Sequence, residues 1–100
     1  MPNLPQKELA ALCERWRVTE LSIFGSAVRG DFRSQSDYDL LVTFAEDAHW
    51  TLFDLVRMKS ELEALLGRDV DLLTRRGVES SRNPLRRRKI LESAEIIYGA

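Results

Sequence analysis

Cysteine is nearly absent from this 100-residue chain, and the one present, Cys13, has no partner for an internal disulfide. That excludes a disulfide-stapled secreted scaffold and makes a reducing cytoplasm the expected setting. The N-terminal stretch MPNLPQKELAAL lacks the basic and then apolar layout of a signal peptide. No apolar run nears the roughly 20 residues that span a bilayer, so a soluble protein without a membrane partner is expected. With three prolines and five glycines there is no low-complexity segment, and no internal repeat is found. The single histidine, His49, has no second histidine or nearby cysteine with which to build a zinc site. Also missing is any Gly-x-x-x-x-Gly-Lys-Ser/Thr loop, which removes the P-loop way of cradling a nucleotide.

What remains is a globular composition, 44% apolar and 31% charged. It reads as one domain over residues 1–100 that buries roughly two-thirds of its unfolded surface. The net charge of −1 conceals a segregation of sign. Residues 1–74 hold 8 Lys/Arg against 13 Asp/Glu, whereas residues 75–89 (RRGVESSRNPLRRRK) hold 7 against 1. The basic run Arg86–Lys89 reads as a solvated helix face, a docking surface for an acidic protein, or a contact for nucleic acid. No aromatic residue interleaves those arginines and the rest of the chain is acidic, so direct nucleic-acid binding is not expected.

Pro5 suits a first helical turn, and Leu9, Leu12, Cys13 and Trp16 follow at i, i+3, i+4 and i+7, which predicts a helix over 5–16 with Cys13 and Trp16 in the core. The stretch VTELSIFG predicts a strand that stops at Gly25, and SDYDLLVTF (36–44) a second whose continuous apolar middle implies cover on both faces. TLFDLVRMKSELEALLG predicts a helix closed by Gly67, with a stripe of Leu52, Leu55, Val56, Leu62, Leu65 and Leu66. RDVDLLT predicts a third strand, residues 84–92 a basic helix begun by Pro84, and AEIIYG a last short strand. The fold class is α/β (α+β), a small mixed sheet with helices packed on it.

Residues two apart on a strand face the same way, about 6.5 Å apart, so Asp37 and Asp39 aim together and Tyr38 faces away into packing. Two such carboxylates repel each other unless a cation shares the site, and Mg²⁺ suits them. Taken alone, Ser36 and Asp37 equally describe a capped strand-start turn. Asp71, followed by Leu-Leu as Asp39 is, joins them if the strands are neighbours. Three acids would then hold a pair of metal ions, with Asp71 as the general base or the nucleophile-side ligand. Gly25-Ser26 offers close backbone approach and a hydroxyl to phosphate oxygens. Arg29 and Arg33 suit phosphate as well, though either also fits a solvated turn.

Gly25-Ser26, ten intervening residues and then Asp37-x-Asp39, in GSAVRGDFRSQSDYDLLV, resembles the signature of the DNA polymerase β-like nucleotidyltransferase superfamily. Within it the sequence looks most like the minimal nucleotidyltransferase domains, the MntA-type antitoxins paired with HEPN-domain toxins. The resemblance implies a nucleotidyltransferase fold, with Asp37, Asp39 and Asp71 as catalytic Mg²⁺ ligands and Gly25, Ser26 and Arg29 toward the nucleotide. It also implies transfer of AMP from ATP to a tyrosine hydroxyl of a cognate HEPN toxin, with pyrophosphate leaving. Two-domain relatives hold their acceptor in a further domain, so a partner protein is expected to complete the site or be the substrate. Two other readings stay open: a module that neutralises its partner by occlusion alone, and a transferase for a small-molecule hydroxyl.

Overall fold

The computed structural model describes residues 4–25 and 37–99. Helix α1 (Gln6–Arg15) leads into strand β1 (Val18–Phe24). Arg17, between them, takes a left-handed conformation at φ 57°, reversing the chain within two residues. After β2 (Tyr38–Phe44) comes α2 (Leu52–Leu66). At the start of α2 the Thr51 hydroxyl accepts from the Asp54 N–H while the Asp54 carboxylate accepts from the Thr51 N–H, a reciprocal capping box. Gly67, at φ 70°, ends the helix. Then follow β3 (Val70–Thr74), a short α3 (Arg75–Glu79), α4 (Pro84–Ser93) and β4 (Glu95–Gly99).

The strands lie in the order β3-β2-β1-β4. β1 runs antiparallel to both β2 and β4, while β2 and β3 are parallel, joined by the α2 crossover. The sheet is therefore mixed, as expected. Because side chains alternate along a strand, β1, β2 and β3 each feed two cores. Tyr38, Leu40 and Val42 of β2 pack with Leu21, Ile23 and Val70 against Leu9, Leu12 and Cys13 of α1 and Met58 and Leu62 of α2. On the opposite face Leu41 joins Phe24, Val78 of α3 and Ile90 of α4. This explains why the middle of β2 is apolar without interruption.

Helix α2 departs from the stripe the spacing predicts. Leu52 and Val56 are exposed, at 73% and 57%, as is Phe53, whereas Met58 and Leu62 are fully buried. At 3.6 residues per turn, Leu52, Phe53 and Val56 project about 100–160° away from the Met58–Leu62 direction. The core stripe runs through Met58, Leu62, Leu65 and Leu66, with Leu55 half-buried on the same side. Helix α3 is also unanticipated. Its interior Gly77 obscured it, although Thr74 caps it by accepting from the Gly77 N–H at 3.0 Å.

Cys13 and Trp16 lie in the core as expected. Burial pushes the Cys13 thiol up to about 11 from an ordinary 9.0. Among the described residues no helix is long and apolar enough to cross a membrane.

Candidate functional site

The mixed topology decides where the acids go. Asp39 sits on the second residue of β2, opposite Phe24 of β1 on one side and opposite Asp71 of β3 on the other. The parallel Asp39–Asp71 register puts both carboxylates on the same face of neighbouring strands, because paired residues point the same way. That face is the one covered by α3 and α4. Asp39 is half-buried and Asp71 exposed. Asp37 lies two residues ahead of Asp39, exposed, just before β2.

Gly25 closes the third side. Its φ of +77° follows the end of β1, and a Cβ built there would overlap Asp39 Oδ2 and lie 3.2 Å from Asp39 Cγ. The space a side chain would occupy thus already holds the Asp39 carboxylate. Glycine is needed here for both the backbone angle and the close approach. Ser26, Arg29 and Arg33, the other residues expected to reach phosphate, lie outside the described residues.

A cavity of about 360 Å³ opens over these groups, lined by Phe24, Gly25, Asp39 and Asp71 from the sheet and by Arg86, Lys89, Ile90 and Ser93 from α4. Phe24 and Ile90 supply its apolar part and belong to the core cluster on that face. A larger hollow of about 680 Å³ lies elsewhere, between Phe44, Trp50, Arg75 and Glu79, with His49 on its rim. Its size does not make it the better candidate, since the two facing carboxylates and the close-packed glycine are at the smaller one.

The acids meet the elementary demands of a divalent cation. Two carboxylates converge on one cavity, one of them partly desolvated, which is the situation in which a shared cation relieves repulsion. Among the described residues no group of three His, Cys, Asp or Glu side chains is gathered to hold a metal by itself. Mg²⁺ does not need one, because it is commonly bound by one or two carboxylates and completed by water and phosphate oxygens. Asp39 and Asp71 line the cavity together, and Asp37, two residues before Asp39, is not among its lining residues.

Sequence reasoning missed Arg86, Lys89 and Ser93 as neighbours of the acids. Their i, i+3, i+7 spacing was visible, but only the packing of α4 over Phe24 and Leu41 aims that stripe at the end of β2 and β3. Tyr38 is buried, as its alternation with the acids predicts, with the Arg68 guanidinium 5.6 Å from its ring centre.

Residues 6–97 match the family model described as nucleotidyltransferase domain. A Methanocaldococcus jannaschii protein, named by inference as a protein adenylyltransferase, is 44% identical over 92 residues, which is 92% of this chain and 92% of that protein. The protein adenylyltransferase MntA of Thermococcus cleftensis is 42% identical over 69 residues, covering 69% of this chain and 68% of its own. Among solved structures, a toxin–antitoxin with AMP-PNP matches with a TM-score of 0.74 at 19% identity, over 97% of this chain and 75% of that one. A tri-AMPylated Shewanella oneidensis HEPN toxin in complex with an MNT antitoxin matches at 0.63 and 18% identity, over 95% of this chain and 70% of that one. At such identities the structural likeness is one of fold.

Proposed function

Because the chain belongs to the nucleotidyltransferase domain family and is a nucleotidyltransferase, we propose that it transfers AMP from ATP to a tyrosine hydroxyl of a HEPN-type toxin and neutralises that toxin as its antitoxin. The observation that carries the site assignment is the Asp39–Asp71 register, which brings two carboxylates from neighbouring strands into one cavity beside Gly25. The acceptor class and the partner rest on the relatives named protein adenylyltransferase and on the fold neighbour solved with an AMPylated HEPN toxin.

Asp39 and Asp71 would hold Mg²⁺, with Asp37 nearby at the start of β2. When bound, the metal supplies charge neutralisation at the phosphates and a more acidic attacking hydroxyl. The chain's own groups do the rest. Gly25, without a side chain, leaves room for the Asp39 carboxylate against the β1 backbone. Phe24 and Ile90 give the cavity an apolar portion beside the acids, and a low-dielectric surface there strengthens the electrostatic contacts made next to it. In the reaction the tyrosine oxygen forms a bond to the α-phosphorus. The bond from that phosphorus to the bridging oxygen breaks, its electron pair leaves with pyrophosphate, and the hydroxyl proton passes to the Asp71 carboxylate. Positioning the α-phosphate in line with the acceptor provides most of the acceleration.

The test is to incubate the purified protein, or its Asp39→Asn variant, with a HEPN-domain toxin from the same organism, ATP and Mg²⁺, and to weigh the toxin by intact-protein mass spectrometry. Addition of whole AMP units that disappears with Asp39→Asn is expected. An unmodified toxin that is nevertheless silenced by both proteins would replace this reading with neutralisation by occlusion.

A further inference from the structure

The four basic residues of α4 are sorted by the structure into separate roles. The Arg87 guanidinium donates to the Glu79 carbonyl at 3.2 Å, tying α4 to α3. Arg88 lies 3.7 Å from Glu92, one turn on, in solvent. Arg86 and Lys89, three residues apart and so on one face, line the cavity of Asp39 and Asp71 instead. Neither makes an ion pair among the described residues. Two cations and two carboxylates thus line one 360 Å³ cavity without the cations closing onto the acids.

Cations that only balanced the acids would gain most by closing onto them. Held off, they leave a gap with positive charge on the helix wall and negative charge on the sheet wall. A ligand suited to that gap carries its own negative charge toward α4 and shares a metal with the acids on the other side. A polyphosphate does both. Building on the nucleotidyltransferase reading, we infer that Arg86 and Lys89 bind the β- and γ-phosphates of the nucleotide and hold the pyrophosphate as it leaves.

The carboxylate wall fixes the direction. The α-phosphate is the one attacked and so belongs beside Asp39 and Asp71, from where the two terminal phosphates can span toward α4. As the bond between the α-phosphorus and the bridging oxygen breaks, the electron pair and its negative charge move onto the pyrophosphate. Two cations on that side favour the transition state more than bound ATP. Arg86 provides a planar fork for two phosphate oxygens and Lys89 a compact point charge. The Ser93 hydroxyl takes no direct part in this, since it donates to the Lys89 carbonyl at 2.6 Å.

The experiment measures binding of ATP, AMP and pyrophosphate to the wild type and to Arg86→Gln, Lys89→Gln, the double variant and Arg88→Gln, with Mg²⁺ and constant ionic strength. AMP transfer to the toxin is followed in parallel. Each single change is expected to weaken ATP and pyrophosphate by roughly tenfold to a hundredfold, in the range lost with one charged hydrogen bond. AMP, which has no β- or γ-phosphate, should bind equally to all, and Arg88→Gln should match the wild type throughout. Lys89→Arg should recover most of the loss. Equal weakening of AMP and ATP, or unchanged ATP binding by the double variant, would overturn the inference while leaving Asp39-dependent transfer in place. A wild type that neither binds ATP nor transfers AMP would remove the underlying reading as well.

Discussion

Replacing Gly25 with alanine asks two things of the structure, and Gly67 separates them. Both glycines are left-handed, at φ +77° and +70°, so alanine meets similar backbone strain at either position. That strain is about 1–2 kcal/mol. Alanine also reduces the freedom of the unfolded chain, which offsets roughly 0.4–1 kcal/mol of it. A net loss on the order of 1 kcal/mol is expected at both sites, or a fall in Tm of about 4–8 °C for a domain this size. The surroundings then differ sharply. A Cβ at position 67 meets nothing within 4 Å, whereas at position 25 it falls under 3.0 Å from Asp39 Oδ2. To restore contact distance the Asp39 carboxylate, or the end of β1, must move by an amount approaching 1 Å, and a misplacement of that size near the chemistry costs on the order of a hundredfold in rate. Thermal melts and transfer rates measured on both variants make the comparison. Gly67→Ala should lose stability and keep its rate per folded molecule, while Gly25→Ala should lose stability at least as much and about 100-fold in rate. Equal activity in the two would refute the claim that the close approach of Gly25 positions Asp39.

Two further outcomes follow from the core. Since burial raises the Cys13 pKa from 9.0 to about 11, the folded chain holds a proton that the unfolded chain releases. Its contribution is complete below pH 9 and is lost as pH rises toward 11, amounting to about 3 kcal/mol at most. Urea midpoints across that range should fall more steeply for the wild type than for Cys13→Ala, and a thiol reagent at pH 8 should label Cys13 only on unfolding. Rapid labelling of the folded protein would contradict this. On α2, Met58→Ala should cost about 2–5 kcal/mol through the cavity it leaves, whereas Val56→Ala should fall within about 0.5 kcal/mol of the wild type. Similar losses in the two, measured by urea denaturation, would show that the exposed face of α2 is misassigned.

Much of this was legible without coordinates because local chemistry wrote it. Pro5, Gly67 and Pro84 marked helix ends, and the alternation of acids with Tyr38 and Leu40 fixed which side chains of β2 share a face. The apolar run Leu40–Val42 announced a strand covered on both sides, and Gly25 was singled out by its position after β1. What the sequence left open were relations between segments. Asp39 and Asp71 are 32 residues apart, and nothing local distinguishes a parallel register that pairs them from one shifted by a residue, which would turn Asp71 to the other face. Periodicity alone also could not choose among the apolar residues of α2, since Leu52 and Val56 fit a helical spacing that the sheet does not meet. The basic helix is the clearest case. Its charge was plain in the sequence, but whether Arg86 and Lys89 border the cavity of the acids depends on how α4 lies across the sheet, where Ile90 packs with Phe24 and Leu41. Charge is a property of residues, whereas a site is a property of distances between them, and only the packed tertiary structure fixes those.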